Sequence, residues 1–259
     1  DAYRRTLRRF WRGEPHMLGD LARRLTGSAD IFQRHGRAPR ASINYVTVHD
    51  GFTLADVVSY EDKHNEANGE NNSDGSAHND SLNCGVEGPS DDPKIVELRR
   101  RLRRAQIACL MLAQGVPLLL AGDEVGNSQS GNNNAYCQDN EIGWVDWSRL
   151  GEDGEDMTDL IRRLAALRRR YPQLRPRHWL HAPRTGAPRE VMWFTAEATE
   201  MTEQDWMFPE GRFLAYVLGT VEPSPGPLFI VVNGAAEAVK FTFPAWLDCT
   251  RWTFEVATV

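Results

Sequence analysis

Apolar positions follow two different grammars along these 259 residues. Through residue 172, short fully apolar runs alternate with stretches of helical period. The opening DAYRRTLRRFWRG reads as a helix, and GEPHMLGDLARRLTGS as a second short one ending near Gly27. The β-branched run Ile43 to Val48 predicts a buried strand that ends in His49, Asp50 and Gly51. Residues 61–92 are rich in Asn, Asp, Gly and Ser, a length of polar connection that is usually functional or disordered. Asp92 and Pro93 then supply an N-cap and a first-turn proline. Ile95, Leu98, Leu102, Ala105, Cys109 and Leu112 follow at steps of three and four and predict an amphipathic helix. GVPLLLAGDE reads as another strand, NSQSGNNNAYCQDN as a second polar loop, and Leu160, Ile161, Leu164 and Leu167 as a helix stopped at Tyr171-Pro172.

Apolar strands alternating with amphipathic helices predict a parallel α/β sheet or barrel. From about residue 178 the runs VMWFT, RFLAYVLG, PLFIVVNG, VKFTFP and RWTFEV are short, aromatic and β-branched, separated by Pro, Gly and Asp. That spacing predicts an all-β, sandwich-like unit. No internal repeat is apparent.

Composition adds exclusions. Hydrophobic residues at 41% and charged residues at 25% suit a globular chain and argue against global disorder. A net charge of −6 gives no whole-chain attraction to nucleic acid or anionic lipid. The longest apolar stretch, Ile107 to Ala121, is broken by Gln114, Gly115 and Pro117 and falls short of the roughly 20 residues a bilayer span needs. No signal-peptide h-region follows the basic N-terminus. The four scattered cysteines, Cys84, Cys109, Cys137 and Cys249, lack CxxC spacing and read as reduced thiols of a cytoplasmic protein. Both ends look cut, since the chain opens at Asp1 within a helix and closes in a strand-like run.

In a (β/α)8 barrel the site lies where strands feed their following loops. His49-Asp50 and Asp123-Glu124 stand at two such strand ends, and neighbouring strands about 4.8 Å apart would bring both pairs to one pocket. The competing reading makes Asp50-Gly51 a turn and Asp123-Glu124 a helix cap. Trp144, Trp147, Phe52 and Tyr136 flank the polar loops; aromatics beside amides and carboxylates suit sugars, and core packing explains them equally well. Glu70, Asn72, Asp74 and Gly75 brush against a calcium-loop pattern, but Ser81 stands where the closing Glu belongs, so no metal or other cofactor is expected. The arginine clusters at 99–104 and 168–170 read as wet faces of helices. No Walker loop, GxGxxG, GxSxG or HExxH is present.

Several long blocks carry a family resemblance. NYVTVHDGFTLADVVSYEDKHNEANGENNSDG, NCGVEGPSDDP, GVPLLLAGDE and GNNNAYCQDNEIGWVDW closely resemble isoamylase-type bacterial glycogen debranching enzymes of the α-amylase superfamily; ALRRRYPQLR and EMTEQDW extend the likeness over nearly the whole chain. The resemblance implies the last strands and helices of a (β/α)8 TIM barrel over residues 1–175, and a C-terminal antiparallel β-sandwich domain, incomplete, over 176–259. It implies retaining hydrolysis of α-1,6 branch linkages in glycogen or limit dextrin, with α-glucan as partner. His49 would bind substrate hydroxyls, and Asp50 would be the carboxylate that stabilises the oxocarbenium-like transition state. Phe52, Asp123, Glu124, Asn134 and Tyr136 would line the substrate site.

Retaining glycosidases also need a nucleophile and an acid about 5–5.5 Å apart. In this family these follow the fourth and fifth strands, and neither segment occurs here. The expectation is therefore a chain inactive, and prone to aggregate, by itself. Alternatives are a non-catalytic α-glucan-binding or scaffolding module, or part of a related trehalose-releasing hydrolase, against which the NEANGENN loop argues. Oligomeric state is not legible.

Overall fold

The computed structural model describes residues 1–150, 152–180, 189–219, 224–245 and 251–258. The predicted opening helices are α1 (Ala2–Trp11) and α2 (Leu18–Leu25), followed by the short α3 (Ala29–Phe32). The first predicted strand forms a ladder only over β1 (Ile43–Asn44), which pairs in parallel with β2 (Val116–Pro117), Ile43 opposite Val116. The longer run expected there is a correction. Val46 and Thr47 are buried as the pattern required, but burial sets the apolar pattern, and a strand also needs a neighbour to bond. Ile43 and Val116 stay 58% and 45% exposed. Gly115 lets the two segments meet: its φ is +114°, and a Cβ there would lie 2.6 Å from the Ser42 carbonyl oxygen.

After the short α4 (Leu54–Val57), the long helix α5 (Pro93–Leu112) begins where the N-cap signal put it, with the Asp92 carboxylate accepting from the Lys94 N–H at 2.8 Å. Its predicted apolar face is fully buried only from Ala105 onward; Leu102 packs, partly buried, against the Phe52, Val57, Val58 and Tyr60 cluster, and Leu98 is exposed. The reading of the arginine clusters as wet surface also needs correction. Arg99, Arg104 and Arg168 are buried. Arg99 donates to the carbonyls of Asn83, Val86 and Gly88, stapling the polar loop to α5. Arg168, on α6 (Glu152–Arg170), donates to the carbonyls of Met111, Ala113 and Gly115, just where α5 leaves its last acceptors unfilled. A guanidinium carries five donors in a rigid fork, so a buried arginine can satisfy several carbonyls that periodicity cannot see.

Beyond α6, β3 (Val191–Phe194), the capped turn α7 (Glu203–Met207), β4 (Phe213–Leu218) and β5 (Leu228–Asn233) follow, the strands forming one antiparallel sheet in the order β3-β4-β5. Leu214, Tyr216, Leu218, Ile230 and Val232 face the core that α1, α2, α5 and α6 also build, through Leu7, Phe10, Leu21, Ile107, Leu110 and Leu164. On the other face Ala215 and Val217 pack beneath Phe229 and Trp252. The runs VKFTFP and RWTFEV supply the aromatics Phe241, Phe243 and Trp252 to that face, yet 239–245 and 251–256 form no strand. Among the described residues there is thus an α/β portion with a parallel pair and a three-stranded antiparallel sheet, not a second packed sheet. No helix among them is long and apolar enough to cross a membrane.

Candidate functional site

The site starts from a local contrast of burial. Val46 and Thr47 are buried before His49-Asp50, and Phe52, Thr53 and Leu54 are buried after it. The pair is left as a crest, with side chains 81% and 80% exposed and His49 Nε2 3.5 Å from Asp50 Oδ1. Thr53 caps α4 by accepting from the Asp56 N–H at 3.2 Å, which fixes the far side of the crest.

Asp123 buckles the crest from below. One carboxylate oxygen accepts from the Leu54 N–H at 2.8 Å and the other from the Thr47 hydroxyl, joining the residues before and after His49-Asp50. The side chain is 1% exposed. Burial pushes its pKa up to about 7, opposed by the Thr47 and Leu54 bonds and by the nearby Arg8 charge. Arg8 is itself buried, donating to the carbonyls of Val46 at 2.8 and 3.1 Å and of Asn79 at 2.6 Å, and burial lowers its pKa to about 9. Glu124 turns back to accept from the Gly122 N–H at 2.8 Å, in a 3-10 turn over Asp123–Val125.

Beside the crest, the two polar loops are knitted by amides. The Gly51 N–H donates to the Asn133 carbonyl at 2.9 Å. The Asn133 side chain donates to Ser76 O at 2.8 Å and Asn79 Oδ1 at 2.9 Å, and accepts from Asn65 Nδ2 at 2.9 Å. The Asn65 Oδ1 accepts from the Asn133 N–H at 2.9 Å, so this buried pair closes a ring of bonds. Gly75 makes room for it, since a Cβ there would lie 2.2 Å from Asn133 Oδ1. Asn134 and Asn68 both donate to Asp74 Oδ2, at 2.8 and 2.7 Å, and hold that carboxyl below its ordinary range. From α1, Arg4 donates to the Asp50 carbonyl at 3.2 Å.

Besides Glu124, half-buried and turned back on the Gly122 N–H, the sequence candidates fall into three places. His49 and Asp50 are together on the surface. Phe52 and Asp123 lie in the interior, Phe52 in a cluster with Val57, Val58 and Tyr60. Asn134 and Tyr136 are on the polar-loop surface, where Tyr136 donates to Glu70 Oε1 at 2.8 Å, a bond that pushes its pKa up to about 12. Sequence reasoning missed Arg4, Arg8, Asn65 and Asn133; the density of Asn in both loops was the available signal, but it named no individual residue. Cys84, Cys109 and Cys137 are free thiols.

No protein-family model matches the chain. A "Glycogen operon protein GlgX homolog" of Mycobacterium tuberculosis is 52% identical over 269 residues, covering 99% of this chain. This chain is homologous to the bacterial glycogen debranching enzymes. The "Glycogen debranching enzyme" of Serratia proteamaculans is 44% identical over 95% of the chain. The chain spans about a third of the length of these relatives, 37% and 35% respectively. A crystal structure of pullulanase from Paenibacillus barengoltzii, in complex with maltohexaose and α-cyclodextrin, superposes with a TM-score of 0.60 at 23% identity, over 87% of this chain and 28% of that one. Pullulanase from Bacillus acidopullulyticus gives 0.60 at 19% identity over 88% and 24%. These share the fold.

Proposed function

We propose that this chain provides the substrate-gripping part of a glycoside hydrolase acting on α-1,6 branches of glycogen or limit dextrin. The observation that carries the reading is the exposed His49-Asp50 crest, a few residues beyond β1, clamped by Asp123 below and Asn133 beside it. Asp50 accepts hydrogen bonds from sugar hydroxyls and stabilises positive charge as the ring flattens; His49 binds hydroxyls of the same sugar. Interactions that strengthen in the transition state accelerate the reaction, whereas uniform binding does not. Asp123 works through Thr47 and Leu54 and not on substrate, because both its oxygens are engaged in the interior. Residues 1–175 form the barrel-derived part and 176–259 a β domain, and the protein works in the cytoplasm.

The nucleophile and general acid are not supplied by these residues. Reducing-sugar release from limit dextrin, measured beside Asp50→Ala, tests this. We expect no release above the variant, together with retardation of the parent in glucan-containing native gels that His49→Ala and Asp50→Ala weaken. Release abolished by Asp50→Ala would place the reacting acids within this chain. A second reading, a glucan-binding module without catalysis, is favoured by Tyr136 and Trp144. Both rings are exposed and tethered, the Trp144 indole N–H donating to Asp139 Oδ1 at 2.9 Å.

A further inference from the structure

A second concavity shares no residue with the His49-Asp50 site. It is a groove of about 260 Å³ whose lining includes Gln33, Arg37, Arg177, His178 and Trp179. Its aromatic wall is fixed. The Trp179 indole N–H donates to the Arg37 carbonyl at 2.7 Å, and Gly27, at φ +89°, admits the ring edge, where a Cβ would meet Trp179 Cζ3 at 3.3 Å.

Its charge is set by how acids are distributed. The chain carries 36 Asp and Glu, yet none falls between residues 31 and 49 or between 160 and 189, the two stretches of sequence that contain the groove's lining residues. Those segments hold three and nine arginines respectively. Several have structural partners, as Arg168 does with its carbonyls and Arg170 with Glu255. The guanidiniums of Arg37 and Arg177 have no hydrogen bond or ion pair among the described residues. The net charge of −6 is a sum over the whole chain, and charges more than about 8 Å away are largely screened at physiological salt.

We propose that this groove binds the phosphate monoester of a monosaccharide-sized ring. The dianion sits between Arg37 and Arg177, with His178 and Gln33 as further polar contacts, and the ring lies along Trp179. Guanidiniums match phosphate oxygens in paired hydrogen bonds. An indole face suits the C–H face of a sugar. The volume falls just below the roughly 300 Å³ at which pockets begin to take drug-sized ligands, which selects a small occupant. The inference stands whether or not the reading of His49 and Asp50 holds.

Isothermal titration calorimetry of the whole chain with glucose 6-phosphate, inorganic phosphate and glucose tests it. Glucose 6-phosphate binds, inorganic phosphate binds about tenfold more weakly, and glucose gives no heat. Arg37→Gln/Arg177→Gln weakens glucose 6-phosphate at least about tenfold while the Tm stays unchanged. Trp179→Leu brings the sugar phosphate down to the affinity of inorganic phosphate. The proposal is overturned by no heat with glucose 6-phosphate, by undiminished binding in the double variant, or by equal affinity of the parent for phosphate and sugar phosphate.

Discussion

Replacing Asp123 with Asn isolates the cost of the charge buried under the crest. The carboxyl is moved from an ordinary 3.8 to about 7, desolvation outweighing the Thr47 and Leu54 bonds and the Arg8 charge. Because the folded state holds this proton more tightly, stability is greatest below the unfolded value. It falls as pH rises from about 4 to about 7 and levels off above. At about 1.4 kcal/mol per tenfold, the full fall is about 4 kcal/mol, an upper bound because a buried site relaxes and admits water. Asparagine keeps the shape and both contacts: its Oδ1 accepts from the Leu54 N–H, and its Nδ2 donates to the Thr47 oxygen, which turns from donor to acceptor. Urea unfolding of parent and Asp123→Asn at pH 4 and pH 8 therefore diverges, the variant gaining about 2–4 kcal/mol relative to the parent between the two. Comparing the pair cancels the titration of every group not coupled to Asp123, its coupled neighbours being Arg8 and Glu124. Stability curves that run parallel from pH 4 to pH 8 would refute the reasoning.

Other perturbations test the remaining joints. Asn133→Ala removes the partner of the buried Asn79 side-chain oxygen and one of the two acceptors of the Asn65 amide, and costs about 2 kcal/mol, read from the urea midpoint; a loss under about 1 kcal/mol would mean that water fills the gap. Gly115→Ala forces a side chain into positive φ against the Ser42 carbonyl and lowers stability by about 2 kcal/mol or more; an unchanged Tm would contradict the close approach. Arg168→Lys keeps the charge but cannot reach all three carbonyls at the end of α5, and costs about 2 kcal/mol by chemical denaturation, with faster amide exchange at Gly115 and Val116 as the local sign.

What the sequence determined by itself was local. Asp92 and Pro93 announced the start of α5. His49-Asp50 was legible as a polar pair closing an apolar run, and the structure leaves the pair exposed between residues that are interior. Long motif blocks, compared residue by residue, placed the chain among its relatives. Tertiary structure decided what depends on partners distant in sequence. The apolar runs Ile43–Val48, VKFTFP and RWTFEV predicted strands, but a strand exists only where another backbone offers its N–H and C=O groups, and β1 finds such a partner for two residues. Asp123 looked like a site residue and became an internal buckle, because Thr47 and Leu54, 76 and 69 positions away, converge on its two oxygens. Arg99, Arg104 and Arg168 looked like solvent-facing charges, and the fold buries them because loop and helix-end carbonyls needed donors that only a long forked side chain could bring. Periodicity records the burial of apolar surface; the satisfaction of buried polar groups is settled across the fold, where sequence spacing carries no trace of it.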